Sequence, residues 1–137
     1  MPARVFLDSN VLIYSVGDDQ ARRQVAEEPI ADGAVVSAQV IAETAAVLRR
    51  KFGLAPAGVL AILEAVLPRV ECRPLDADTV LSALRLAERL GYSHHGSQIV
   101  AAALAADCDI LYSEDMQHGQ VIDGKLTTVN PFAATRP

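Results

Sequence analysis

The feature that most constrains this chain is its alternation. Short apolar runs suited to strands take turns with longer segments whose apolar residues recur at helical spacing. "RVFL" runs into Asp8 and is followed by the helical "NVLIYSV". "AVVS", Ala34 to Ser37, leads into a segment from Ala38 to about Lys51. There Val40, Ile41, Thr44, Val47 and Leu48 fall on one face of a 3.6-residue period. "VECRPL" precedes "ADTVLSALRLAERLG", and "SHHGSQIVAAAL" precedes "DILYS" and then "LTTVNP". Parallel neighbours need a long crossover between them, and a helix supplies it. The pattern predicts an α/β domain with five parallel strands, covered on both faces in three α/β/α layers.

Local signals set expected boundaries. Ser37 and Asp76 are good amino-terminal caps, and Gly91 suits the end of the helix that Asp76 opens. Pro29 is expected to end the helix containing Arg22 and Arg23, and Pro56 to open the one holding "GVLAILEAVL". The helix after Ser93 is expected to run from Gly96 to about Ala106.

At 137 residues the chain is one domain, residues 1–137, with room for a real core. Apolar residues form 51% of it, which excludes a disordered chain. No apolar run has the length of a membrane span, and the first residues lack a signal-peptide pattern. Cys72 and Cys108 are far apart and belong to no Cys/His cluster, so they read as buried thiols in a reducing cytoplasm. The net charge of −5 excludes binding of nucleic acid by overall positive charge. It leaves open a nuclease whose acids hold metal ions. The local bases Arg22–Arg23, Arg49–Arg50–Lys51, Arg85 and Arg89 read first as solvated helix ends.

In a parallel α/β sheet the functional edge lies at the carboxyl ends of the strands. Asp8 follows the first strand directly, and Asp115 follows the fourth in "LYSEDM". Glu43 stands in the second turn of the helix after the second strand, whose amino end meets the same edge. Three carboxylates can therefore converge there. Such a set suits Mg²⁺ or Mn²⁺, hard ions that prefer oxygen ligands. Each acid also has a plain structural role open to it. Asp8 with Ser9 and Asn10 is a helix cap, Glu43 a surface residue, and Glu114 and Asp115 turn acids.

At these residues the chain resembles a known family. "FLDSNVLIY", "VSAQVIAETAAVL" and "ILYSEDMQHGQVIDGKLTTVNPF" are similar to the PIN domain, and most similar to the VapC-type toxin ribonucleases of bacterial toxin–antitoxin pairs. The resemblance covers Val5 to Phe132. It implies a five-stranded parallel sheet, a Mg²⁺- or Mn²⁺-dependent endoribonuclease, a homodimer, and a cognate antitoxin that fills the acidic cleft. It makes Asp8, Glu43 and Asp115 the metal-binding and catalytic acids. It gives Ser113 the hydroxyl position two residues before Asp115, and makes Asn10 a polar support for Asp8.

One acid of the family pattern is missing. Where two aromatic residues and an aspartate are expected, this chain has His94, His95 and Gly96. Gly96 stands at the position of the third aspartate. A glycine inside a helix costs roughly 1 kcal/mol relative to alanine, so it brings no evident structural gain. His94 and His95 are either substitute ligands or packing residues at the family's aromatic positions. Two functions follow: a ribonuclease with an impaired metal site, or a degenerate domain that binds antitoxin in an autoregulatory complex. A receiver-like signalling domain also clusters acids at strand ends. It needs a phospho-acceptor aspartate after the third strand and a lysine after the fifth, which "VECRPLD" and "TTVNPF" do not supply.

Overall fold

The computed structural model describes residues 2–133. The two ends of the expected 1–137 domain therefore lie outside the described residues. The elements follow in order: β1 (Val5–Leu7), α1 (Ser9–Ser15), α2 (Gln20–Ala31), β2 (Val35–Ser37), α3 (Ala38–Arg50), α4 (Pro56–Val66), β3 (Glu71–Arg73), α5 (Ala77–Leu90), α6 (His94–Ala105), β4 (Ile110–Tyr112), β5 (Val121–Ile122) and β6 (Leu126–Val129). A short 3₁₀ turn, Leu67–Arg69, links α4 to β3.

The strands form one sheet in the order β3-β2-β1-β4-β6-β5. Phe6 pairs with Val35 on one side and with Leu111 on the other, both parallel. From β1 the chain steps outward to β2 and β3, then returns to lay β4 against the far side of β1. Right-handed crossovers put the outward and returning helices on opposite faces. The contacts agree, since α1 packs on α2 and α3, and α3 on α4, while α5 packs on α6. The order reverses between β1 and β4, and a crevice opens at such a switch point.

The sheet has six strands, one more than the sequence suggests. The extra strand, β5, runs antiparallel to β6. The two are joined through Asp123 and Gly124, both at positive φ (54° and 67°), and Lys125 N–H closes the turn on Ile122 C=O at 3.0 Å. Asp-Gly is the dipeptide that favours this hairpin turn, and "VIDGKL" carries that signal in the sequence.

Two helix boundaries also differ from expectation. α2 passes through Pro29 to Ala31. The proline ring removes one helical donor, but Pro29 is buried and Ile30 beyond it is fully buried, and this packing holds the last turn. α6 begins at His94, because Ser93 is its cap: Ser93 Oγ accepts the Gly96 N–H at 3.0 Å. Gly96 is thus the third residue of the helix.

Phe6, Leu7, Val35, Val36 and Leu111 on the central strands are essentially unexposed. Each such side chain contributes roughly 1.5–3 kcal/mol relative to exposure. α6 is buried nearly all round, from Gly96 and Ser97 through Ile99 to Ala103. Its run of alanines lets α5 lie close. α4 is the opposite case, with only Val59 and Val66 buried, while Leu60 is 58% exposed and nearby Phe52 53%. The expectation of buried thiols holds for Cys108 and not for Cys72, which is exposed on β3 at the sheet edge.

Candidate functional site at the β1–β4 edge

β1 delivers Asp8 to the switch-point crevice. Its backbone is extended and it caps α1, with Oδ1 accepting the Ser9 N–H at 2.7 Å. The capping role and the site position therefore coexist in one residue. Asp8 is only 2% exposed, and a carboxylate so buried needs partners for both oxygens. The partner of Oδ2 is the Ser113 hydroxyl, which donates to it at 2.8 Å.

Ser113 follows β4 and is itself fully buried. Its Oγ accepts the Asp115 N–H at 3.1 Å and the Asn10 side-chain amide at 3.3 Å. With both accepting sites of the oxygen used, its single proton is left for Asp8. Asn10 extends the network: Nδ2 also lies 3.4 Å from Asp115 Oδ2, and Oδ1 accepts the Glu114 N–H at 3.3 Å. Asn10 and Ser113 thus tie α1 to the loop carrying Asp115. Glu114 turns outward, and its Oε2 accepts the Tyr14 hydroxyl at 3.0 Å.

Glu43 reaches the crevice from the second turn of α3. Its Oε2 is shut off from solvent and makes no hydrogen bond of good geometry. Burial is the main reason its carboxyl is held above the usual range. The nearby charge of His95 pulls it back, while Asp8 and Asp115 push it further up.

His95, the second residue of α6, lies between the two acids. Nε2 is 3.4 Å from Asp8 Oδ1, and Nδ1 is 3.2 Å from Glu43 Oε2. Its ring is held above the ordinary histidine value, first by the hydrogen bond to Asp8. Burial opposes this, and the charges of Asp8, Glu43 and Asp115 add to it. His94 does not join the cluster; its ring nitrogen pairs with the Gln98 amide at 3.1 Å on the exposed side.

Asp8, Glu43 and His95 each offer one ligand atom, and these atoms lie within 4.8 Å of one another. Asp115 adds charge beside them and is positioned by Asn10. The donor set, with a buried carboxylate oxygen lacking a good partner, fits a divalent cation. Gly96 is buried in the first turn of α6, next in the chain to His95. A Cβ placed on it would stand 3.2 Å from Ser93 Oγ and 3.7 Å from Met116 Sδ, beside the residue that follows Asp115.

The sequence-derived acids Asp8 and Glu43 come together here. Ser113 is hydrogen-bonded to Asp8, and Asn10 and Asp115 join the network through Ser113. His95 was legible only as one of two open choices. The signal that favours it is its place in the first turn of a helix whose amino end meets the sheet edge. Two of the local bases stand in surface pairs: Arg22 with Asp19 at 2.6 Å, and Arg89 with Asp123 at 2.8 Å. Arg22 also stacks over Tyr14, 5.6 Å from the ring centre.

A mostly parallel α/β sheet with an acidic crevice at its topological switch defines the class. The model of the PIN domain matches residues 5–122, and the chain belongs to the PIN domain family. No curated protein matches it. Several solved structures share its fold. VapC20 of Mycobacterium tuberculosis, described as a sarcin–ricin-loop-cleaving toxin, is 19% identical with a TM-score of 0.66, over 81% of this chain and 89% of its own. A chain of a toxin–antitoxin complex from Klebsiella pneumoniae is 17% identical with a TM-score of 0.67, over 93% and 97%. A chain of VapBC2 from Rickettsia felis, bound to a DNA fragment from its promoter, is 17% identical with a TM-score of 0.66, over 92% and 98%. Among the described residues, no helix is long and apolar enough to cross a membrane.

Proposed function

We propose that this chain is a ribonuclease toxin of a toxin–antitoxin pair, with a metal site weakened by the glycine at position 96. The observation that carries the reading is the convergence of Asp8 and Glu43 at the β1–β4 switch, with Asp115 held beside them by Asn10 and Ser113. Membership of the PIN family supports it, as do solved relatives that are toxins or toxin–antitoxin complexes.

In this reading Asp8, Glu43 and Asp115 hold Mg²⁺ or Mn²⁺, and RNA is the substrate. When bound, such an ion neutralises phosphodiester charge and makes water a stronger nucleophile. Asp8 is fixed for its part by Ser113 and by the Ser9 N–H. Glu43 brings its carboxylate to the crevice with Oε2 facing the His95 ring, 3.2 Å from Nδ1. Asn10 keeps Asp115 at the rim. Gly96 contributes no carboxylate, so the site has one anionic ligand fewer than the family pattern. Little or no cleavage is expected of the chain as it stands.

A cognate antitoxin is the natural partner in this reading, and a homodimer the natural assembly, with the exposed apolar side of α4 as its surface. Gly96 also favours a second reading, a domain retained to bind antitoxin in an autoregulatory complex and no longer to cut RNA. Growth separates the two. On the enzyme reading, induced Gly96→Asp chain arrests bacterial growth and leaves discretely cut RNA, while Gly96→Asp with Asp8→Ala does neither. Unimpeded growth with both variants at equal, soluble expression would overturn the enzyme reading and leave the binding domain.

A further inference from the structure

The lost carboxylate and the inserted imidazole are neighbours in sequence, and the structure places the imidazole at the cluster. Position 96 carries no side chain, and the next residue back, His95, sends both ring nitrogens to the acids. Nε2 lies 3.4 Å from Asp8 Oδ1 and Nδ1 lies 3.2 Å from Glu43 Oε2. One atom from each of the three residues lies within 4.8 Å of the other two. Asp8 is anchored by Ser113 and Ser9, so it is fixed in place. Glu43 Oε2 is shut off from solvent and faces the same ring, with no well-formed hydrogen bond to it. His94, with Gln98 as its partner, is not available to the cluster.

We propose that His95 replaces the missing carboxylate as a metal ligand, and that Asp8, Glu43 and His95 form a mixed oxygen–nitrogen site selective for a late first-row divalent ion over Mg²⁺. The inference rests on reading this edge as the metal site, and it goes further by naming a different ligand and a different class of metal. Mg²⁺ demands oxygen donors and keeps much of its water. Imidazole nitrogen binds more strongly to cobalt, nickel, copper and zinc, and affinity rises along that row towards copper. Replacing a carboxylate by an imidazole also removes one negative charge, which costs the purely electrostatic binding of Mg²⁺ most.

The test uses the metal-free full chain titrated separately with CoCl₂, MnCl₂ and MgCl₂. Binding heat is read for each, and the visible absorption of Co²⁺ reports a nitrogen ligand independently of any activity. Co²⁺ is expected to bind one per chain and at least about tenfold more tightly than Mg²⁺. His95→Ala should weaken Co²⁺ by more than about tenfold, as expected for loss of a direct ligand, and should change its absorption spectrum. His95→Gln, which fills the space better, is the second variant should His95→Ala fail to fold. His94→Ala should bind as the parent does.

The opposite outcome is equally clear. If removing the imidazole leaves Co²⁺ binding unchanged or tightens it, His95 is an obstruction in the crevice and the proposal is wrong. A parent chain that binds Mg²⁺ as well as Co²⁺, or binds neither, also overturns it. In the last case Gly96→Asp decides the fate of the wider reading. Mg²⁺ or Mn²⁺ binding by that variant keeps the metal edge and discards His95 alone, and no binding discards both.

Discussion

The Ser113 hydroxyl donates to Asp8 Oδ2 at 2.8 Å, across the gap between the ends of β4 and β1. The two residues stand 105 positions apart in the chain, yet each satisfies the other's burial. The same hydroxyl accepts from Asp115 N–H and from Asn10, so one oxygen orders three residues of the site.

Ser113→Ala is expected to destabilise the fold by about 1–3 kcal/mol, the cost of leaving a buried polar group without its partner. Urea unfolding should show a lower midpoint with an unchanged slope. A midpoint equal to that of the parent would mean that water replaces the hydroxyl at no cost.

Much of this arrangement was legible in the sequence. β1 and β4 are apolar runs that end in polar residues, so Asp8 and Asp115 had to emerge at one edge once the sheet was parallel. α3 has a strong 3.6-residue period and a serine cap, so Glu43 was fixed to its second turn. Less legible was where His95 points. Periodicity places a residue on a helix face, but the ring's position depends on how α6 enters the crevice. That entry is set by the Ser93 cap, which starts the helix two residues earlier than Gly96 suggests. β5 was hidden for another reason. A two-residue strand has no period of its own, and only the Asp123–Gly124 turn announces it.

The exposed side of α4 predicts assembly. Leu60 is 58% exposed on a helix rich in apolar residues, and Phe52, just before that helix in the chain, is 53% exposed. Large exposed apolar side chains, where they join into a patch, mark contact sites. The chain is expected to scatter light as a dimer at micromolar concentration, about twice the 14.6 kDa of one chain. Leu60→Glu should shift it to the monomer with its helical circular dichroism intact. A parent chain already monomeric at high concentration would sink this prediction.

His95 predicts a pH dependence for the metal-free chain. Its folded ring holds a proton more tightly than the ordinary value of 6.5, through the hydrogen bond to Asp8. A raised folded value stabilises the fold fully below the unfolded value, and that stability is lost as pH rises through the folded one. The melting temperature of the parent relative to His95→Ala should therefore be highest below about pH 6 and should shrink above about pH 7. Glu43 works in the same direction, because burial makes its charged form costly in the fold. A difference between the two proteins that stays constant from acid to alkaline pH would show that the ring contributes packing alone.

Gly96→Asp is the decisive variant for the chemistry. Position 96 is the third residue of α6, where a carboxylate is favoured by the helix dipole by roughly 0.3–1 kcal/mol. Space is tight but workable: the new Cβ meets Ser93 Oγ at 3.2 Å, and the serine must yield by a few tenths of an ångström while keeping its cap on the residue-96 N–H. The second-nearest atom to that Cβ is Met116 Sδ at 3.7 Å, the end of a flexible side chain that can turn aside. The carboxylate would add an anionic oxygen next in the chain to His95 and beside Met116, the residue after Asp115. Affinity for Mn²⁺ should rise by more than about tenfold, since loss of even an indirect supporting group typically costs 10–100-fold. Metal-dependent cleavage should appear across a broad RNA panel and vanish again when Asp8→Ala is added. The new charge also sits close to His95, so the same variant should show a larger acid stabilisation than the parent when free of metal. A Gly96→Asp chain that folds, binds no more Mn²⁺ than the parent and cuts no RNA would mean that the edge has departed from PIN nuclease chemistry by more than one residue.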